Sequence, residues 1–420
     1  MLCNKLIVVT LICVFAAGYA RAQSNIVPER RKAQFESETG YAAFPFPYSL
    51  PGIGSGVSFV GAASNIFDSY TDVYGIALAG DITGIGLGLT EIHLLPEHLF
   101  LDIGSSNISR ATIQSYNGRG MNTDADDYNL IEVGDVAAKG GQLTASIFQR
   151  RLEFYAARYL FAAHLESIRD KDGAVIVEAQ NGGEIRGGQN VFGALVDLTD
   201  DHSDPRVGAR LDISGWQTPK HRDGPEYVLL DINTSVYFPM GKHSTWVVNY
   251  LHSDAHVSKK GETDRAVLET ETGLYCSMLS DAADRAECDK YIDNAIAQNR
   301  YGAASSLGGE TRLRAYPQGR YNGAHTRFLG TEFRWNLTDE HTPFNWYVIR
   351  DVRTTIQLAF FLEAGTTADE HRDLGQKTRY AYGVGARLVT ASGAVLRGEL
   401  AAGSEGLVPV ITFGYPWGAY

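Results

Sequence analysis

Residues 252–256 read His-Ser-Asp-Ala-His. In an extended chain His252, Asp254 and His256 fall on one side, at a spacing that could hold a divalent transition metal. Trp246, Val248 and Tyr250 precede them on that same side. The trio is therefore better read as marking where an apolar strand leaves a membrane, and we expect neither a metal nor a cofactor. Covalent catalysis has less support still. No Gly-x-Ser-x-Gly occurs, so a nucleophile elbow is missing, and the expectation is a protein that is not an enzyme.

Two further groups carry chemistry of a structural kind. Cys276 and Cys288 lie in "CSMLSDAADRAEC", and two nearby cysteines in an exported chain favour a disulfide. Zinc is the weaker reading, since two cysteines without neighbouring histidines supply half a coordination shell. The segment is helix-prone, yet twelve steps of one helix span about 18 Å, too far for a disulfide. A bend near Ser280–Ala283 must intervene. The second group lies in "SLGGETRLRAYPQGRYNGAHTRFLGTEFRWNL", residues 306–337. A glycine pair and four arginines precede an alternating segment that carries Glu332 and Arg334.

The elements that position these residues follow from composition and period. The chain opens with Lys5, an apolar run from Leu6 to Ala17 and Ala20-Arg21-Ala22, the pattern of a cleaved export signal over residues 1–22. Of 420 residues, 45 are Gly, 22 Tyr, 18 Phe and only 4 Met, which suits many strands with tight turns. The net charge of −12 argues against nucleic acid, whose phosphates it would repel.

In "YVLLDINTSVYF", "TIQLAFFLEAG" and "LVPVITFGYPW" every second residue is apolar, the period of a strand with one oily face. The opposite face carries Glu332, Arg334, Gly383, Gly385, Arg387, Arg397 and Glu399, poor material for a dry core. The apolar face ends in Phe238, Trp335, Phe413, Tyr415 and Trp417, as expected where lipid meets headgroups. The sequence thus implies an all-β, transmembrane antiparallel β-barrel, closed because lipid offers the backbone no partners. An even count of 14 to 16 strands is expected, with short turns at Ser203–Pro205 and "TASG" (390–393) facing the periplasm. The long segments 258–324 and 366–378 would face outward. "TDVYGIALAGDITGIGLGLTEIHLL" reads as one long strand or as a hairpin turning at Asp81.

"VDLTDDHSDPRVGARLDIS" resembles the strand-turn-strand signature of the bacterial surface antigen family, the barrel of BamA, TamA and two-partner secretion transporters. Asp197, Asp200, Pro205 and Gly208 occupy the signature, with Thr199 where that family has arginine. "SLGGETRLRAYPQGRY" resembles its loop motif, Val-Arg-Gly-Tyr or Val-Arg-Gly-Phe, through Leu313, Arg314, Ala315 and Tyr316. "GTEFRWNL" and "AFFLEAGT" are similar to the two strands that follow, with Glu363 where aspartate is usual.

The resemblance runs from about residue 185 to the end and implies 16 strands, with the long sixth extracellular loop folded back into the lumen. There Arg314, helped by Tyr316, would pair with the inward-facing Glu332 and Glu363. Ala315 stands where the family has a glycine that tolerates unusual backbone angles. Phe413, Tyr415 and Trp417 would form the C-terminal signal read by the cell's barrel-assembly machinery.

Relatives that insert or secrete proteins carry periplasmic POTRA modules. Residues 23–53 are too short for one, so the expected organisation is a short periplasmic segment followed by a barrel over 54–420. A periplasmic partner would replace the modules. The resemblance implies an outer-membrane protein, surrounded by outer-membrane lipid, that assists assembly or transport of protein or lipid. A passive channel or structural surface barrel is the alternative.

Overall fold

The computed structural model describes residues 34–35, 39–179, 184–217, 225–338, 343–346, 349–390 and 395–417. The expected export signal and most of the turn expected at 390–393 lie outside them. In chain order the strands are β1 (Gly40–Leu50), β2 (Gly54–Ser64), β3 (Asp72–Gly80), β4 (Thr83–Leu95), β5 (Leu99–Tyr116) and β6 (Tyr128–Ile147). Next come β7 (Leu152–Arg169), β8 (Val175–Glu178), β9 (Glu184–Asp197), β10 (Gly208–Gln217), β11 (Glu226–Pro239) and β12 (Ser244–Lys259). The last six are β13 (His325–Asn336), β14 (Pro343–Trp346), β15 (Ile349–Ala368), β16 (Arg379–Thr390), β17 (Val395–Gly403) and β18 (Gly406–Phe413).

Each strand pairs antiparallel with the next, except that β8 and β14 are short arms folded onto β7 and β15. β7 therefore pairs directly with β9, and β13 with β15. The remaining sixteen strands form a barrel that closes where β1 returns to β18. The closing seam is thin among the described residues. One register pair joins the two strands, Ser49 with Ile411, and the Ser49 hydroxyl donates to the Pro409 carbonyl at 3.2 Å. At its other end β1 pairs with β15 through Tyr41 and Arg350.

The two faces invert the pattern of a water-soluble protein. On β13, Phe333 and Trp335 are exposed at 37% and 46%, whereas Glu332 and Arg334 between them are buried at 1% and 3%. On β15, Ile356, Phe360 and Leu362 are exposed and Gln357, Phe361 and Glu363 buried. An oily outer band around a polar, filled interior is what a lipid environment selects. Alternation produces it because a step of one residue exchanges the faces.

The long loop between β12 and β13 fills the interior. It begins with α1 (Arg265–Thr272) and α2 (Ala282–Tyr301). Asp264 caps α1 by accepting from the Ala266 N–H, and Asp281 caps α2 by accepting from the N–H groups of Ala283 and Asp284. The chain bends before Asp281, as the cysteine spacing requires, and the Cys276–Cys288 disulfide closes with a Cα separation of 5.5 Å. Cys276, Cys288 and Ile292 are fully buried and pack with Ile131, Leu165 and Ile168 on the walls of β6 and β7. Beyond α2, Leu307, Leu313, Tyr316 and Tyr321 descend among Leu251, Phe328, Phe361 and Ala401 of the opposite wall.

Two expectations need adjustment, and one open alternative is decided. The barrel starts at Gly40 and not at 54, so residues 40–50, assigned to a periplasmic segment, form its first strand. Pro45 and Pro47 concealed it, since proline cannot donate to a ladder and sheets accept it mainly on edges, here the strand at the seam. The "TDVYG…HLL" stretch is a hairpin, turned at Asp81, whose carboxylate accepts from the Ser55 N–H at 2.7 Å. The final strand ends at Phe413. Gly414 adopts φ 77°, the left-handed region open to glycine, and Pro416 cannot extend the ladder. Tyr415 and Trp417 therefore turn into the lumen and do not share the lipid face with Leu407, which is 61% exposed.

Candidate functional site

The inner wall seats the loop by leaving space for it. A Cβ on Gly365 would meet Leu307 at 2.7 Å and Leu313 at 3.2 Å, and one on Gly403 would meet Ala315 and Tyr316 at 3.0 Å. Glycines on the polar face, which a dry core would not favour, make the groove in which the loop lies. The unusual backbone angle of the loop tip falls on Leu313, at φ 53°. Ala315 in the next turn of the motif shows no such angle and is fully buried.

That geometry delivers Arg314 to the centre of the barrel with no exposed surface. Its backbone N–H and its Nε donate to the two oxygens of Glu363, each at 2.9 Å. Nη1 donates to Glu399 at 2.7 Å, and Glu332 receives both Nη atoms at 3.4 Å. The guanidinium lies 3.5 Å from the centre of the Phe361 ring, a stacking that a planar cation permits and an ammonium does not. Burial opposes the charge, but Glu363, Glu399 and Glu332 more than offset it, and the pKa of Arg314 sits above its ordinary value.

The carboxylates are shared with arginines of the wall. Arg387 bridges Glu332 at 2.6 Å and Glu399 at 2.7 Å, Arg334 reaches Glu332 at 2.8 Å and Arg397 reaches Glu399 at 2.8 Å. Arg397 also donates to the Glu310 carbonyl of the loop at 2.7 Å. A charge this deep persists only when paired and hydrogen-bonded, and here four arginines interleave with Glu332, Glu363 and Glu399. The resemblance points to Arg314, Tyr316, Glu332 and Glu363; the structure joins Arg314 to Glu332 and Glu363 and anchors Tyr316 elsewhere on the wall. The sequence marks Glu399, Arg387 and Arg397 only as members of the polar face. Their alternation was visible, but nothing in one sequence brings β16 and β17 to the loop.

Tyr316 is fully buried, and its hydroxyl donates to the Tyr380 carbonyl at 3.0 Å and accepts from the Ser404 N–H at 3.2 Å. A second arginine of the loop, Arg320, clamps Glu405 through Nε and Nη2 at 3.0 and 2.8 Å. It lies 4.6 Å from the ring centres of both Tyr116 and Tyr321. Arg320 lies in the arginine run, but nothing in the sequence marks it as an anchor.

The C-terminal tail completes the cluster from the other end. Trp417 Nε1 donates to Glu363 at 3.1 Å, and its ring lies over Gly330, where a Cβ would stand 2.5 Å away. Tyr415 donates to Asp204 at 2.6 Å and lies 4.2 Å beneath the Arg334 guanidinium. Burial first, and then the Asp204 carboxylate, raise the Tyr415 pKa well above its ordinary value, so the phenol stays protonated and donates.

Asp204 belongs to the turn between β9 and β10, where the four signature residues also meet. Asp197 accepts from the N–H and hydroxyl of Thr199 at 3.0 and 2.6 Å, and from Arg210 at 2.8 Å. Arg210 thus supplies a cation in a turn that has threonine where the family has arginine. Asp200 accepts from the N–H groups of Arg206 and Val207 at 2.8 and 2.9 Å, and Pro205 is buried. Gly208, at φ 111°, lies so close to the Leu198 carbonyl that a Cβ would collide with it.

No protein-family model and no curated protein matches the chain. Among solved structures it is similar to BamA from Haemophilus ducreyi lacking POTRA domains 1–3, at 12% identity and a TM-score of 0.48, covering 90% of this chain and 70% of that one. It is also similar to CdiB from Escherichia coli, at 13% identity and 0.49, covering 89% and 61%. CdiB from Acinetobacter baumannii stands at 10% and 0.45, covering 92% and 66%. The likeness is one of fold. The barrel itself rests on the strand pairing described above, and the chain spans roughly two thirds of the length of these proteins.

Proposed function

We propose that this chain is an outer-membrane barrel of the bacterial surface antigen type. In this reading it assists the assembly or transport of protein or lipid at that membrane, together with a periplasmic partner. The observation that supports the reading is the fully buried Arg314, held by Glu363, Glu399 and Glu332 inside a lumen that its own loop fills. A passive pore gains nothing from a plug pinned by a buried charge cluster, whereas an assembly barrel needs a sealed lumen beside a seam that can admit substrate. Among the described residues β1 meets β18 at one register pair and β15 at another, a short closure that fits that need. The test is a photo-crosslinking residue at Val57, an exposed position on β2 beside the seam strand, with the barrel expressed in its native membrane. Discrete protein or lipopolysaccharide adducts that disappear in Arg314→Ala support assembly or transport. Phospholipid adducts alone, unchanged by that substitution, favour a passive or structural barrel.

A further inference from the structure

At the end of the barrel that bears the long loop, three side chains from three segments converge on the outer wall. Strand parity with the exposed Trp246 puts His252 and Asp254 of β12 on the outward face, where both are nevertheless buried, at 7% and 6%. His325, on the outward face of β13 with Leu329 and Phe333, is the direct register partner of Asp254. His371 comes from the loop between β15 and β16 and stacks on His325 with ring centres 3.6 Å apart.

One oxygen collects them. Asp254 Oδ1 lies 3.0 Å from His325 Nδ1 and 3.9 Å from His371 Nε2. The other oxygen, Oδ2, is engaged by His252 Nε2 at 2.7 Å. One ligand atom from each of Asp254, His325 and His371 lies within 4.8 Å of the others.

We propose that Asp254, His325 and His371 form a site for a divalent transition metal of the zinc class. Two imidazoles and one carboxylate are a donor set that zinc accepts at roughly 2.0–2.2 Å, and one that calcium and magnesium, which prefer all-oxygen shells, do not favour. A metal drawn between the three would take the place now held by the hydrogen bond between Asp254 and His325. His371 is about half exposed on its loop and would leave the stack to complete the shell. His252 holds Oδ2 and so aims Oδ1 at the centre, the orienting part that outer partners play around metals.

The site differs from the His252, Asp254 and His256 trio, which the sequence reads as a strand leaving the membrane and not as a metal site. His256 is exposed and remains outside it. A second convergence, Glu269, Cys276 and Asp289, carries no site because Cys276 is committed to its disulfide.

Position gives the site a consequence. Asp254 and His325 face each other at the neck of the loop spanning residues 260–324, and His371 belongs to the neighbouring loop. That neighbour is already docked there, with Asp369 accepting from Arg119 at 2.7 Å and from the Ala324 N–H at 3.2 Å. Bound metal would latch the two loops together at the base of the plug, outside the lock around Arg314.

The test uses the folded, tag-free barrel in detergent, with zinc chloride titrated calorimetrically and cobalt followed by its visible absorption. One ion per barrel is expected, with Asp254→Asn and His371→Ala each weakening uptake at least about tenfold, and His256→Ala leaving it unchanged. His371 is a loop residue whose loss leaves the barrel wall intact, so that variant decides the matter even if Asp254→Asn fails to fold. Zinc should also slow proteolysis within residues 260–324 of the parent protein and not of His371→Ala. No saturable uptake by the parent protein, or uptake that His371→Ala leaves intact, overturns the site.

Discussion

Glu363 holds Arg314 at two points, accepting from its backbone N–H with one carboxylate oxygen and from its Nε with the other, both at 2.9 Å. This contact fixes the position of the loop backbone as well as the charge. Glu332 and Glu399 keep Arg387 whatever happens to Arg314, but among the described residues Glu363 would retain only the Trp417 N–H as a hydrogen-bond donor.

The pair therefore carries a prediction of coupling. A wet lumen would reduce the loss of one partner to the roughly 1 kcal/mol of a surface pair, but Arg314 and Glu363 have no exposed surface. Arg314→Ala should cost about 3–5 kcal/mol, the range for an orphaned buried charge. Arg314→Lys should recover only part of it, because an ammonium cannot serve Glu363 and Glu399 together. Arg314→Ala with Glu363→Gln should cost less than the two single changes added together. Urea unfolding of the detergent-solubilised barrel measures all four, and simple additivity of Arg314 and Glu363 would dissolve the pair.

The tail is tested at the glycine beneath it. In Gly330→Ala the new methyl would stand 2.5 Å from the Trp417 ring, so the tail should leave the lumen while the strands persist. Carboxypeptidase should then remove the last residues of the variant much faster than those of the parent protein. Equal rates would place Trp417 elsewhere.

The disulfide should staple the helical cap and not the barrel. Closing its loop is worth roughly 3 kcal/mol by chain entropy, and the cap packs on β6 and β7 through residues that include Ile292. Cys288→Ser should open residues 265–301 to protease while the heat-modifiable migration of the barrel stays unchanged. A cap as resistant as that of the parent protein would mean the bond is not what holds it.

The seam makes a geometric prediction. Ser49 and Ile411 are register partners, and antiparallel partners stand about 4.5–5.5 Å apart at Cα, within reach of a disulfide. Ser49→Cys with Ile411→Cys should cross-link under mild oxidation. Shifting one cysteine by two residues, to Pro409, should lower the yield sharply. Equal yields would indicate a different closing register.

The sequence carried the barrel well and the lock in part, for reasons of range. Alternation is local, so the oily face of β13 and β15 and the inward turn of Glu332 and Glu363 could be read residue by residue. Arg314 required a motif, because nothing local says that a loop re-enters a lumen. Glu399, Arg387 and the Arg320–Glu405 clamp depend on which strands close around that loop, a property of the whole circle. The first strand was hidden by Pro45 and Pro47, and the inward tail by a period of two that runs through Gly414 without a visible break. A glycine followed two residues later by a proline was the available signal there, and it marks the turn in the structure.

The central claim is that the Arg314 lock keeps the lumen plugged, and conductance across a planar bilayer tests it most directly. The parent protein should show little or no steady current, and Arg314→Ala should produce larger, fluctuating openings as the loop loosens, with Glu363→Gln behaving similarly. Large, steady pores in the parent protein, unchanged by Arg314→Ala, would contradict the plug and with it the account given for the lock.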